Sequence, residues 1–295
     1  MANRLHVRFL RYSAFYAPLL LALEKERLAA EGLVATFDKV TPELTIEAGF
    51  RDGTVQLAQS ATAVSFQPVL RGEGPSWRHF AVMNYRDGFF LGARDRSAPF
   101  TWKSLEGRTV LVDHFFQPLA LFRTALRLQG VDGSRVTLVD AGDPAGIEKA
   151  FREVRGDYFH MQGPVPQMLE EQGLCRVVAA VGEATGDLAF STLCAQPEWL
   201  KTEAAAAFTR VFRKARAEAQ QMAPAELAAR LVSLLPGTTV TALTTTLAAY
   251  QRVGMWTGDE RISPALYART VQLFRDVGYI SSSPEMSAVV AELPG

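Results

Sequence analysis

Five short stretches of the chain place hydroxyl, amide, imidazole and aromatic side chains where an apolar, strand-like run ends. Hydroxyls and amides at such positions would exchange hydrogen bonds with a polar ligand, and aromatic rings would stack on a flat or apolar one. Histidine would add a group that titrates near neutral pH. These side chains suit reversible binding of a small organic molecule. The candidates are Ser13, Phe15 and Tyr16 in RYSAFY; Gln59, Ser60 and Ala61 in QSA; Asp113, His114, Phe115 and Phe116 in VDHFF; Tyr158, His160 and Gln162 in YFHMQ; and Ser191 in FST.

Several of these residues also have a purely structural interpretation. Ser13 and Asp113 each precede a helical pattern and could cap it by accepting a backbone N–H. Phe15 and Tyr16 could belong to the core under the following helix. The three candidates of YFHMQ alternate along an extended segment, so they would share one face of a strand. Both interpretations stay open at this stage.

The sequence gives little support to metal or covalent chemistry. The two candidate histidines, Asp113 and Glu183 lack the spacing of a metal site, and no nucleophile accompanies them. Cys175 and Cys194 are the only cysteines, and both lie in apolar, strand-like runs. We expect them to be buried free thiols. The prediction is therefore no metal, no cofactor and no catalytic residue.

Composition excludes some partners. The chain has 295 residues, with 31 Lys plus Arg and 31 Asp plus Glu, so its formal net charge is zero. Proteins that bind nucleic acids or anionic membrane surfaces usually carry a basic surface, so the zero net charge argues against both kinds of partner. The sequence has no run of 18 apolar residues, so it does not predict a transmembrane helix. The first 28 residues do not read as a signal peptide, so we expect a periplasmic protein if a leader has been removed and a cytoplasmic one otherwise.

Apolar strands alternate with helical patterns in two successive sets, which is typical of parallel α/β architecture. The first set includes the helix predicted over Ala17–Ala30, which Glu31-Gly32 should end. An extended run near Asp87 leaves the first set, a second run after Asp187 returns to it, and the rest is helical. The sequence therefore predicts two α/β lobes joined by two crossing strands. The predicted boundaries are 1–90 plus 191–295 for lobe 1, 91–190 for lobe 2, and 86–98 and 186–194 for the hinge.

Four phrases, in order and at consistent spacing, resemble the type II periplasmic solute-binding proteins, in particular the NMT1/THI5-like group that binds pyrimidine precursors, alkanesulfonates and nitrate. YAPLLLALEKERLAAEGL resembles the first helix of that family, and SLEGRTVLVD resembles the entry into its second lobe. AGIEKAFREVRGDYFHMQGPVPQMLEEQG and the stretch from LVSLLPGTTV to RDVGYI resemble later segments. The likeness spans about residues 4 to 280.

This resemblance implies a two-lobed fold that closes by a hinge on a small molecule, with a possible permease of an ABC-type importer as partner. The aromatic candidates favour an aromatic or heterocyclic ligand. Two alternatives remain: a cytoplasmic enzyme of the same fold acting on a small aromatic acid, of lyase or decarboxylase type, or a ligand sensor without a transporter. The cysteine-rich motif of the fungal pyrimidine synthases of this fold is absent. Related desulfinases need a catalytic cysteine in the cleft, and neither cysteine of this chain lies in the first loop with Ser13.

Overall fold

The computed structural model describes residues 3–113 and 115–295, and the described part forms two five-stranded sheets. The predicted α/β fold of two lobes is confirmed. The strands of the first sheet are β1 (Asn3–Phe9), β2 (Leu33–Lys39), β3 (Leu57–Ser60), β4 (Arg78–Asn84) and β10 (Ser191–Ala195). Those of the second are β5 (Phe89–Ala93), β6 (Thr109–Val112), β7 (Thr137–Asp140), β8 (Tyr158–Gln162) and β9 (Arg176–Ala180).

The two sheets repeat one pattern. The first has the order β2-β1-β3-β10-β4 and the second β7-β6-β8-β5-β9. In the first, β1 runs parallel to β2 and β3, while β10 is antiparallel to β3 and β4. In the second, β6 runs parallel to β7 and β8, while β5 is antiparallel to β8 and β9. The antiparallel strand at the fourth position is in each case the one that follows a crossing between the sheets.

Fourteen α-helices of the described residues surround the sheets. Those in the first half of the chain are α1 (Ala17–Ala22), α2 (Lys25–Ala30), α3 (Ile46–Arg51), α4 (Thr62–Leu70), α5 (Phe116–Leu128) and α6 (Pro144–Arg152). The later ones are α7 (Val165–Glu171), α8 (Val181–Thr185), α9 (Pro197–Leu200), α10 (Glu203–Gln221), α11 (Pro224–Leu231), α12 (Val240–Val253), α13 (Pro264–Asp276) and α14 (Met286–Val289).

The first helix differs from its prediction because the chain breaks it in two. Glu24 is extended, with φ −61° and ψ 132°, and separates α1 from α2. Every residue of α1 is buried, whereas only Leu28 of α2 is. A single straight helix would continue in the buried direction of α1 and would bury the charged residues of α2. The bend at Glu24 keeps α1 in the core and leaves α2 at the surface. Gly32, with φ +71°, follows α2, as predicted.

The C-terminal helices pack on elements of both sheets, α10 on α1, α12 on α7 and α13 on α5, and they reach the crossings. Thr202, Thr239 and Ser263 start α10, α12 and α13, each accepting the N–H of the residue three positions on. The Tyr250 hydroxyl on α12 donates to the Gly88 carbonyl at 3.1 Å. The helical segment therefore supports the first crossing directly.

Candidate functional site

The carboxyl ends of the central parallel strands of the two sheets face each other across a cleft. Arg11 follows β1 and meets Asp113, which follows β6, while Ser13 meets Gln162, the last residue of β8. Ligands of open α/β sheets bind beyond these strand ends. The described residues therefore converge at the position that the sequence predicts, and they do so from both sheets.

The cleft contains a small inner cavity of about 50 Å³. Its walls combine aromatic rings with amide, hydroxyl and guanidinium groups. Seven of the predicted site residues line it: Tyr16, Gln59, Ala61, Phe115, Phe116, Gln162 and Ser191. Asp113 does not line it but is bonded to Arg11, which does. The other lining residues are Leu10, Arg11, Val64, Phe89, Gln117, Pro118 and Phe190.

An outer cleft of about 550 Å³ adjoins it. Leu10, Arg11, Phe115 and Gln162 line both spaces and so separate them. The Leu235–Thr238 turn before α12 also lines the outer cleft, and it is absent from the residues predicted from the sequence. Its Pro-Gly pair marks a turn, but nothing local shows that α12 packs beside α7 and carries that turn to the cleft.

Arg11, Asp113 and Phe115 form a clasp across the cleft. Arg11 Nη1 and Nη2 donate to Asp113 Oδ2 and Oδ1 at 2.8 and 3.0 Å. The Arg11 guanidinium also lies 4.1 Å from the centre of the Phe115 ring. Asp113 Oδ1 accepts the Phe115 N–H at 2.9 Å in the turn before α5. The N-cap of α5 is Phe115, without a side-chain cap bond, so Asp113 makes a turn bond and an interlobe contact and does not cap the helix. The Asp113 side chain is fully buried and that of Arg11 is 18% exposed.

A second interlobe bond joins Ser13 to Gln162. Ser13 Oγ donates to Gln162 Oε1 at 2.6 Å and accepts the Phe15 N–H at 3.3 Å. Ser13 is therefore both a cap and a residue of the cleft. The Gln162 nitrogen, Nε2, is buried and makes no hydrogen bond within the described part of the chain.

Tyr16 places a hydroxyl beside these amides. Burial raises the pKa of the Tyr16 phenol, and the charge of Arg11 and the polar groups of Gln162 and Ser191 oppose that rise. The phenol therefore stays protonated at neutral pH and is available as a donor. Gln117 is held on the opposite side, because its Nε2 donates to the Phe190 carbonyl at 2.9 Å.

Besides Asp113, the structure places four predicted site residues outside the walls of both cavities. Phe15 is fully buried and packs its ring against Phe190 and Tyr250. Ser60 is 1% exposed within the first sheet, and its register partner there is Thr192. Phe15 therefore belongs to the core, as its structural interpretation has it. Ser60 is a buried strand residue and does not cap α4, whose N-cap position is Ala61.

The other two lie on β8 with Gln162, but the strand carries them away from the cleft. His160 is stacked between Phe89 and Phe122, at 4.7 and 4.8 Å between ring centres. Burial lowers the pKa of His160 to about 3, so the ring is neutral. Tyr158 begins the strand and packs on Phe100. A strand rises about 3.3 Å per residue, so only its last residue reaches the cavity. His114, the remaining candidate, lies outside the described residues.

No group of three or more His, Cys, Asp or Glu residues that could hold a metal occurs within residues 3–113 and 115–295. The two cysteines are buried and unpaired. Burial raises the pKa of Cys175 to about 12 and raises that of Cys194 as well. Neither thiol is activated as a nucleophile. No helix of the described residues is both long and apolar enough to cross a membrane.

The comparisons with known structures give the fold. A ligand-binding component of an ABC-type import system from Staphylococcus aureus, with zinc bound, matches with a TM-score of 0.76 at 14% identity, covering 98% of this chain and 97% of that one. The alkanesulfonate-binding protein SsuA from Xanthomonas axonopodis, bound to MOPS, matches with a TM-score of 0.72 at 15% identity over 98% of each chain. The chain has a periplasmic-binding-protein fold. The same fold also occurs in a mutant of the desulfurization enzyme DSZB in complex with biphenyl-2-sulfinic acid, at a TM-score of 0.69 and 15% identity over 99% of this chain and 97% of that one.

Sequence comparison adds one relative. The "Putative binding protein YtlA" of Bacillus subtilis is 27% identical over 220 residues, which is 72% of this chain and 65% of that protein. No family model matches the chain. The structural neighbours thus include substrate-binding components of ABC-type importers, while the NMT1/THI5-like group is not named among these matches.

Proposed function

We propose that the protein is a solute-binding protein of the NMT1/THI5-like type that captures a small organic molecule between its two lobes. The observation that carries this proposal is the convergence of Arg11 and Ser13 from one sheet with Asp113 and Gln162 from the other. Groups that bond across a cleft in this way would close on a ligand from both sides.

The cavity walls favour an aromatic or heterocyclic ligand. Phe89, Phe115, Phe116 and Phe190 supply flat apolar surface, and the polar groups between them are few and convergent. Small-molecule sites are commonly built in this way, with apolar walls for affinity and a few polar groups for orientation. A planar, partly apolar molecule could stack on the phenylalanine rings and also bond to the polar side chains between them.

The crossing segments would act as the hinge between lobe 1 (1–90 and 191–295) and lobe 2 (91–190). They run side by side, since the N–H of Leu188 donates to the Tyr85 carbonyl at 2.7 Å and that of Phe190 to the Asn84 carbonyl at 3.1 Å. Gly182 of α8, just before the return crossing, also lies against the first crossing, since a Cβ there would be 2.4 Å from the Asp87 carbonyl oxygen. Paired segments of this kind would bend together.

A binding role is favoured over catalysis because the described cavity residues offer hydrogen bonds and ring surfaces but no activated thiol. Both cysteines lie outside the cavity walls. By analogy with the importer components of the same fold, we propose that the protein works outside the cytoplasmic membrane and delivers its ligand to an ABC-type permease.

A cavity-filling variant tests the proposal. Ala61 is 7% exposed and lines the inner cavity at the start of α4, so Ala61→Leu would occupy much of its 50 Å³. Ala229→Leu, on an exposed position of α11, is the matched control. Native mass spectrometry of the purified protein should come first, followed by a thermal-shift screen of pyrimidines, aromatic acids, sulfonates and amines.

We expect a compound that raises the Tm of the wild type and of Ala229→Leu, but not of Ala61→Leu, and that is recovered unchanged. A compound that stabilises all three equally would place binding elsewhere and refute the proposed cleft. A compound consumed in the same tube would assign the protein to the enzymes.

A further inference from the structure

One buried polar atom at the inner cavity, Gln162 Nε2, has no hydrogen-bond partner among the described residues. Ser13 Oγ accepts the Phe15 N–H and donates its proton to Gln162 Oε1, and this second bond holds the amide with Nε2 on the other side. Nε2 makes no hydrogen bond there, although the Tyr16 hydroxyl lies near enough for the amide to affect the pKa of the phenol. A buried donor without an acceptor is costly, and a ligand acceptor would remove that cost.

The charges around the cavity are already balanced. Arg11 is the one charged residue among the described residues of its wall, and both of its terminal nitrogens are bonded to Asp113. An anionic ligand beside Arg11 would meet a guanidinium that Asp113 already neutralises, and one that displaced Asp113 would leave that fully buried carboxylate without its counter-ion. Stranding a buried charge is strongly unfavourable, so the clasp disfavours anions.

We infer that the inner cavity receives an uncharged planar group with a hydrogen-bond acceptor, such as a carboxamide, a lactam or a heterocyclic carbonyl, in preference to a carboxylate or sulfonate. Gln162 Nε2 donates to that acceptor, and Asp113 excludes anions by holding Arg11. This inference rests on the proposed function and specifies the ligand class for the same site. A cavity of 50 Å³ has room for a group of about four non-hydrogen atoms, which matches such a head group.

The size of the cavity allows a test that does not need the natural ligand. Acetamide and acetate have the same shape and differ in charge. Each is titrated into the 15N-labelled full chain, and the side-chain NH2 signals of Gln162 are followed by NMR. Those signals are identified by their loss in Gln162→Met. We expect acetamide to shift them in a saturable way and acetate to bind at least fivefold more weakly.

Asp113→Asn tests the exclusion of anions. The substitution keeps the side-chain oxygen that accepts the Phe115 N–H but removes the negative charge that occupies Arg11. We expect acetate to bind this variant about tenfold more tightly than the wild type, with acetamide changed by less than twofold. Asp132→Asn is the matched control, because Asp132 also accepts the N–H two residues on but is exposed and distant in sequence from the clasp. Thermal unfolding of each variant verifies that it is folded.

The outcomes separate the two proposals. Acetate that shifts the Gln162 signals of the wild type as strongly as acetamide would overturn the inference while leaving a ligand site in the cleft. Gln162 signals that respond to neither fragment would also overturn it, and the Ala61→Leu screen would still decide the proposed function by itself. An acetate affinity of Asp113→Asn equal to that of the wild type would refute the role given to Asp113.

Discussion

The clasp makes a quantitative prediction about stability, because its two charges differ in exposure. Arg11→Met keeps most of the apolar stem of the side chain and removes the guanidinium. Asp113 then stays fully buried and keeps the Phe115 N–H as its partner among the described residues. The variant also loses the contact between the cation and the Phe115 ring. We expect the unpaired carboxylate to dominate the effect.

The expected loss in the free energy of unfolding is about 3 kcal/mol, the lower end for breaking a buried ion pair, since Arg11 is partly exposed. Asp113→Asn should cost about half as much, because the freed guanidinium reaches water more easily than a buried carboxylate does. The double variant should be more stable than the sum of the single losses implies, by a coupling free energy of about 2 kcal/mol.

Urea denaturation, followed by tryptophan fluorescence and far-UV circular dichroism, measures these losses where the two transitions coincide. Arg127→Met is the control. Arg127 also pairs with an aspartate, Asp276, at 2.7 Å, but its side chain is 50% exposed. That variant should lose about 0.5 kcal/mol or less. Equal losses for Arg11→Met and Arg127→Met, or single losses that simply add in the double variant, would refute the claim that the clasp is a coupled, buried pair.

Two further predictions concern the second lobe and the hinge. Gly92→Ala should cost about 2 kcal/mol in urea denaturation, since its Cβ would lie 2.0 Å from the Phe159 ring in a filled core; an unchanged midpoint would contradict that packing. Asp87 is buried at the first crossing, and burial raises its pKa to about 7. The folded state therefore binds a proton that the unfolded state releases near pH 4, so Asp87 contributes stability at low pH that is lost as pH rises to 7. Relative to Asp87→Asn, the free energy of unfolding of the wild type should fall by about 1.4 kcal/mol per pH unit between pH 5 and 7 and change little above pH 7. If the two proteins show the same dependence of this free energy on pH, the pKa of Asp87 is not raised.

The order of the strands and helices could be predicted from the sequence because it follows from local patterns. Alternating apolar runs mark the strands, and Gly32 marks a helix end. The break at Glu24 could not be predicted, because the sequence from Ala17 to Ala30 has helical spacing throughout. Its cause is tertiary: α1 is buried on all sides, while α2 lies largely at the surface.

The sequence also predicts that the strand ends lie at the cleft, and the structure has Ser13, Gln59 and Gln162 lining its two cavities. The sequence does not predict which partner each of these side chains contacts, because the partners belong to the other sheet. The bond between Arg11 and Asp113 spans 102 positions of the sequence. Nothing in the sequence near either residue indicates the other. The neutralisation of Arg11 by Asp113 can therefore be recognised only from the structure.

His160 shows how the second layer of the site is built. Phe89 and Gln162 are directly opposite each other in the antiparallel pair of β5 and β8, and both line the inner cavity. His160 precedes Gln162 by two residues, so it lies on the same face one step further from the cleft, where its ring stacks on Phe89. The imidazole therefore contacts the ring that forms the wall rather than the cavity itself. With a pKa near 3 it stays neutral at every pH where the protein would meet its ligand, so it supports the position of Phe89 without adding a charge to a cavity whose only described cation is already paired.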